Sequence, residues 1–387
     1  MSMQSRKEYM KAMVDRYRKA RSRRDKSVII DEIVSVTTFN RKYVLQQLNG
    51  LLPLPKGKTD RRRHLKYQEA APAIQIVWRA LDYPCAERLH PILLEMADKL
   101  AKHGHIALSP LVRSQLAEIS RPTLGRRLAK WVSEKPAGKP SRAAKSFSRL
   151  RSEIPVQSYD WDELRPGALE IDLVEHNGGS SLGQFAYTLS VVDIVTGYSR
   201  RRAVASRSQA AVFEAIEYVL SAWPMKPWGI HSDNGSEFMS NHLRRYCQKK
   251  NLTFTRSRPY RKNDNAHVEQ KNRQYVREVV GYERYETPQD VNWLNAVYAC
   301  LDTYANLFLP MRKVISKTRV DGKVRKRYDT ARTPLQRLID SGTLEQQTIG
   351  KIQADKAAAD PLRLHEQLEK LIHEGPAHYT PVDNTAG

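Results

Sequence analysis

Apolar residues recur at helical spacing through the first third of the chain and at alternate positions through the middle. Ile29, Ile30, Ile33 and Val34, then Tyr43, Val44, Leu45 and Leu48, mark two helices separated by the break SVTTFN. Residues 5–24 are charged and helix-prone, so the front of the chain reads as a helix-turn-helix region over 1–52. Its second helix is expected to start near Thr38, an acceptable N-cap, with Asn40, Arg41 and Lys42 in the first turn. A further helical, helix-turn-helix-like segment is expected over 69–132, where Ser120 is placed to cap a helix bearing Thr123, Arg126 and Arg127.

Two stretches interrupt this pattern. PLPKGKTDRRRHLKY has no apolar periodicity and reads as a basic linker over 53–68, while SEKPAGKPSRAAKSFSR offers no core and marks an interdomain linker over 133–160. Beyond it the period changes from helical to alternating. LEIDLVEH (169–176), QFAYTLSVVDI (184–194) and SRRRAVA (199–205) read as three successive antiparallel strands. A helix over 208–222, a short buried strand over 229–233, a helix over 237–250, the strand LTFTRS and a helix over 265–281 follow. Three strands and then alternating helix and strand make a mixed α/β domain, placed at 161–310. The remainder, 311–387, is a basic region with a helical tail, and Asp321-Gly322 between alternating residues predicts a small hairpin.

Charge changes the picture next. Of 387 residues, 65 are Lys or Arg and 42 Asp or Glu, for a net charge of +23. Residues 1–150 hold 32 basic and 13 acidic side chains, a net of +19, which leaves +4 for all the rest. Such a front attracts polyanions, nucleic acid first among them, although basic ribosome-associated proteins share the property. Arg61, Arg62 and Arg63 of the basic linker are candidates to lie along phosphates, with a solvated charge run as the plain alternative. Asn40, Arg41, Lys42, Thr123, Arg126 and Arg127 are candidates to meet DNA from helices. The three cysteines, Cys85, Cys247 and Cys300, form neither a disulfide framework nor a zinc clamp. No run is apolar enough to span a membrane, so a soluble, cytoplasmic, nucleoid-associated protein is expected.

The candidate chemistry lies in the middle of the chain. In Leu169-Glu170-Ile171-Asp172-Leu173-Val174, alternation sets Glu170 and Asp172 on one face and the aliphatics on the other. Asp233 follows a buried strand and opens the turn Asp-Asn-Gly-Ser-Glu, the strand end at which α/β proteins bind ligands. Glu269 lies on a helix whose opposite face, with Ala266, Val268, Tyr275 and Val276, is expected to be only imperfectly buried. Singly, each acid has a plain explanation as a turn, salt-bridged or solvated carboxylate. Together, 60 residues separate the two Asp and 35 separate Asp233 from Glu269.

With that spacing, residues 165–310 resemble the DDE superfamily of bacterial insertion-sequence transposases and retroviral integrases. The resemblance is carried by Glu-Ile-Asp172, Val-Asp-Ile-Val-Thr-Gly-Tyr-Ser at 192–199, His-Ser-Asp233-Asn-Gly-Ser-Glu-Phe and Asn-Asp-Asn-Ala-His-Val-Glu269-Gln-Lys-Asn. It implies an RNase H-like core with a mixed five-stranded sheet, and a catalytic, metal-binding triad of Asp172, Asp233 and Glu269. It also implies two Mg²⁺ (or Mn²⁺) ions per site, chemistry in which hard cations take oxygen ligands and stabilise the attacking and leaving oxygens of phosphodiester transfer. His267 and Asn272 flank the Glu where relatives keep polar residues near substrate. The implied activity is binding of a mobile element's terminal repeats, cleavage of its ends and transfer into target DNA, by a homo-oligomer on double-stranded DNA and without a membrane partner. Retroviral integrases open with a His-His-Cys-Cys zinc domain; the first 150 residues here hold one cysteine, so no structural zinc is expected. A DNA-binding regulator without catalysis and an RNase H-type nuclease are the other readings.

Overall fold

The computed structural model describes residues 1–51, 66–131, 165–232, 237–238, 241–256, 266–320 and 323–379. They form two compact units, Met1–Lys66 and Tyr67–Gly387.

The smaller unit is helical: α1 (Met3–Ala12), α2 (Val14–Lys19), α3 (Arg23–Thr37) and α4 (Arg41–Leu51). Met10, Tyr17, Ile29, Ile30, Ile33, Val44 and Leu48 form its core, matching the helical spacing of those residues. The turn differs in detail from expectation. Thr38 ends α3 in the left-handed conformation (φ 57°), and it is Asn40 whose Oδ1 accepts from the Lys42 amide at 2.9 Å. Asn is the better cap and tolerates the turn, so the second helix starts later than Thr38.

In the larger unit α5 (Ala71–Ala80), α6 (Ala86–Leu89), α7 (Leu93–Lys102), α8 (Pro110–Glu118) and α9 (Arg121–Trp131) precede the sheet. The sheet comprises β1 (Ala168–Glu175), β2 (Tyr187–Asp193), β3 (Ser199–Val204), β4 (Gly229–Ser232) and β5 (Thr253–Arg256), in the order β3-β2-β1-β4-β5. The first three strands are antiparallel, and β4 and β5 run parallel to β1. This is the mixed five-stranded sheet that the family resemblance implies, and its first three strands are those read from the alternation. Helices α10 (Gln209–Ser221) and α11 (Asn241–Lys250) intervene; α12 (Ala266–Asn272) continues through a π turn (Arg273–Arg277) into α13 (Glu278–Val280), followed by α14 (Pro288–Phe308).

Alternation along β1 divides the two sides of the sheet. Leu169 and Ile171 join Leu189, Val191, Ile216 and Leu243 in a core under α10 and α11. Val174, on the Glu170 side, joins a second core that runs through Val276, Trp293, Tyr298 and Phe308 to Ile74, Leu93 and Leu100. Helices α5–α9 therefore pack in one continuous core with α14 and with the C-terminal α17 (Pro361–Glu374), reached through α15 (Pro334–Asp340) and α16 (Gln346–Ala358). Between α14 and α15 lies the hairpin β6 (Val314–Val320) and β7 (Lys323–Tyr328), as the Asp-Gly pair predicts.

The outward side of β3 is closed by α14. Asn295 exchanges two hydrogen bonds with the Ala203 backbone, at 2.8 and 3.2 Å, and Asn306 does the same with Ser199, at 3.0 and 2.8 Å. Between them Asp302 accepts from the Arg201 amide at 2.7 Å and forms a buried ion pair with the Arg201 guanidinium. Positions 295, 302 and 306 lie on one helical stripe, so a single face of α14 meets three alternate residues of the strand.

Candidate active site

The site builds outward from β1. Asp172 lies opposite Ser190 of β2 in the antiparallel ladder, and its Oδ2 accepts from Asn272 Nδ2 at 2.6 Å. Asn272 ends α12, so this bond ties the helix to the strand. A second tie lies at the other end of α12. Oε2 of Glu170, which is wholly buried, accepts from the Val268 amide at 2.8 Å. Two residues of β1 on one face thus hold both ends of the helix that carries Glu269, and Glu269 itself is exposed.

The electrostatics agree with this convergence. Burial pushes the Glu170 carboxyl up to about 7; backbone donors at Val268 and His267 oppose that rise, and the negative charges of Glu269 and Asp172 add to it. Glu269 and Asp172 are therefore close enough to Glu170 to act on it. Glu170 Oε1 has no hydrogen-bond partner among the described residues. Ser190 Oγ and Asn272 Oδ1 are likewise buried without a partner among them, and both belong to residues facing or touching Asp172. An oxygen-rich face with two ionisable carboxylates and unsatisfied buried oxygens fits a hard divalent cation. No group of three His, Cys, Asp or Glu among the described residues is arranged to hold an ion, and Asp233, directly after β4, lies outside those residues.

The opposite face of α12 is better buried than its sequence suggests. Val268 and Val276 are fully buried and Tyr275 nearly so. Behind them Lys271 and Arg201 each place a cationic group 4.6 Å from the centre of the Tyr275 ring. Burial, then the charges of Arg201, Lys313 and Arg88, lowers Lys271 to about 7. Tyr275 and Val276 belong to the core shared with α5–α9 and α14, which the local pattern of 265–281 could not reveal.

Residues 163–262 match the family model of the integrase core domain. The protein y4rM of Sinorhizobium fredii (strain NBRC 101917 / NGR234), an uncharacterized protein, is 36% identical over 338 residues, spanning 87% of this chain and 95% of that relative. The chain belongs to the integrase-core family. The matched segment of this integrase-core protein contains Asp172 and Asp233 and ends before Glu269. Similarity also extends to the catalytic core domain of HTLV-2 integrase in complex with magnesium, in a trimeric form, at 17% identity over 30% of this chain and 71% of that one, with a TM-score of 0.25. The catalytic core domain of BIV integrase is 15% identical, over 46% of this chain and 95% of that one, with a TM-score of 0.31.

The other candidate residues of the integrase-core protein are dispersed. His267 is exposed at the start of α12; crowding by protein atoms, then the positive charges of Lys313, Lys271 and Lys317, lowers its pKa. Asn40 and Lys42 are exposed at the start of α4, whereas Arg41 pairs with Asp31 and donates to Ser27 Oγ at 2.7 Å. Thr123 Oγ1 accepts from Arg126 at 3.1 Å on α9, with Arg127 partly buried beside them. Arg61, Arg62 and Arg63 lie outside the described residues. Sequence reasoning missed Glu170 and Lys271 as parts of the site. For Glu170 the signal was present, since it shares the face of Asp172; Lys271 gave none, because its burial depends on helices remote in the chain.

Proposed function

We propose that this integrase-core protein is a DDE-type transposase that binds the ends of a mobile element and joins them to target DNA, with Asp172, Asp233 and Glu269 as the metal-binding triad. The observation that supports the reading is the double tie from β1 to α12, through Glu170 and Asp172, at both ends of the helix that carries Glu269. Asp233 follows β4, the parallel neighbour of β1 in which Ser232 pairs with Ile171. Bound Mg²⁺ or Mn²⁺ ions would neutralise charge on the attacking and leaving oxygens of a phosphodiester. The chain's own contribution is to hold the three carboxylates: Asn272 fixes the rotamer of Asp172 by a hydrogen bond, and Glu170 fixes the start of the helix bearing Glu269. Asn40, Lys42 and Arg126 are the exposed polar groups on helices that would meet DNA, and assembly of several copies on two element ends belongs to the same reading.

The test is transfer of labelled element-end DNA into a plasmid in the presence of Mg²⁺. Wild type is expected to form joined product, and Asp233→Asn and Glu269→Gln to lose it by at least about a hundredfold, the scale on which removal of an electrostatic stabiliser acts. Equal product from all three proteins would overturn the assignment of the triad.

A further inference from the structure

The hairpin β6–β7 stands apart from the rest of the larger unit in its chemistry. Residues 314–319 and 324–328 are exposed on both sides of the ribbon, Ile315 and Val324 among them at 55% and 58%. A two-stranded ribbon with no face packed on a core is marginal in water. This one also carries its charge badly. Lys317 lies directly across the ladder from Lys326, and Arg325 and Arg327 occupy neighbouring rungs of the other face. Like charges placed opposite one another destabilise a ladder. None of Lys317, Arg319, Arg325, Lys326 and Arg327 forms an ion pair with an acid among the described residues.

The base of the ribbon, in contrast, is firmly held. Lys313 donates from its ammonium to the carbonyls of Ile194 and Val195 in the β2–β3 turn, and its amide donates to Asp329 Oδ1 at 2.7 Å. Asp329 in turn pairs with Arg337 at 2.6 Å, and Arg312 stacks 4.7 Å from the centre of the Tyr328 ring. Gly197 permits the close seat: a Cβ there would lie 2.5 Å from Met311 Sδ. A rigid base that aims an unneutralised, exposed basic ribbon has a direction as well as a charge.

We infer that the β6–β7 hairpin is a DNA clamp: it grips the phosphate backbone of duplex DNA, with Lys317, Arg319, Arg325, Lys326 and Arg327 as the gripping residues. The inference rests on the DNA-joining reading above and adds to it a surface that holds the substrate. A polyanion removes the repulsion between Lys317 and Lys326, and a duplex supplies phosphates to both faces of a ribbon that fits a groove.

The experiment measures binding of the full chain to a mixed-sequence duplex of about 40 base pairs by fluorescence anisotropy over a range of salt concentrations. It compares wild type with a variant carrying Lys317→Thr, Arg319→Thr, Arg325→Thr, Lys326→Thr and Arg327→Thr. A charge-preserving variant, in which each of the five Lys and Arg residues is exchanged for the other type, controls for damage to the hairpin. The threonine variant is expected to bind at least about tenfold more weakly at physiological salt and to lose up to about 4 from the slope of log affinity against log salt, while the charge-preserving variant keeps both. Wild-type binding with an unchanged slope in the threonine variant overturns the clamp and leaves the DNA reading standing. Loss in the charge-preserving variant as well also overturns it. Wild type that does not bind duplex at any salt overturns both. A threonine variant that binds duplex normally but loses binding to single-stranded RNA of the same length assigns the ribbon to another ligand and overturns the clamp.

Discussion

A histidine one residue past β1 illustrates how burial sets protonation in this fold. His176 is wholly buried, its Nε2 sits 2.7 Å from Thr188 Oγ1, and that hydroxyl meets the Tyr298 hydroxyl at 2.9 Å. Burial, with the Arg277 charge adding to it, lowers the imidazole to about 3. In the unfolded chain the same ring takes a proton near pH 6.5. The folded state therefore refuses a proton that the unfolded state accepts, and stability is present above about pH 6.5 and lost progressively as pH falls toward about 3. The urea midpoint, followed by tryptophan fluorescence, is expected to drop between pH 6.5 and 4.5 in wild type and to drop less steeply in His176→Gln. Identical pH profiles would remove His176 from the account. Glu170 was legible in the same residue-by-residue way, from alternation alone, but its role was not: the alternation gives a face, and only the packing of α12 on that face turns a strand carboxylate into a buried acceptor.

At the level of elements, the strands, their order of appearance and the hairpin were all readable, because a period of two and Gly-containing turns are local signals. The seal between α14 and β3 was not, since Asn295, Asp302 and Asn306 look like ordinary polar positions of an amphipathic helix until the strand lies against them. Their burial makes a sharp prediction. Asp302→Ala leaves Arg201 charged and uncompensated in the interior, and is expected to cost about 3 to 5 kcal/mol. Asn306→Ala, which strands one amide and one carbonyl of Ser199, is expected to cost less, about 1 to 3 kcal/mol. Urea denaturation of the larger unit checks both; similar costs for the two would show that the charge contributes nothing beyond the hydrogen bonds. The π turn after α12 also escaped the sequence, for an extra residue within one turn leaves the apolar spacing of Val268, Tyr275 and Val276 intact.

For the whole molecule, a division at residue 66 sets apart a small helical unit with its own core from a larger one in which helices before and after the sheet share a single interior. All six tryptophans, Trp78, Trp131, Trp161, Trp223, Trp228 and Trp293, belong to the larger unit. Thermal unfolding followed by fluorescence is therefore expected to report one transition, while circular dichroism reports an additional one that a fragment of residues 1–66 reproduces alone. Coincident curves by the two methods, with no helix in the fragment, would argue that the small unit depends on the rest. The amides and carboxylate of α14 have one more effect at this scale. They already occupy the amides of Ser199, Arg201 and Ala203 and the carbonyls of Ser199 and Ala203, so a second copy of the chain cannot extend the sheet by adding a strand beside β3 unless α14 first moves away.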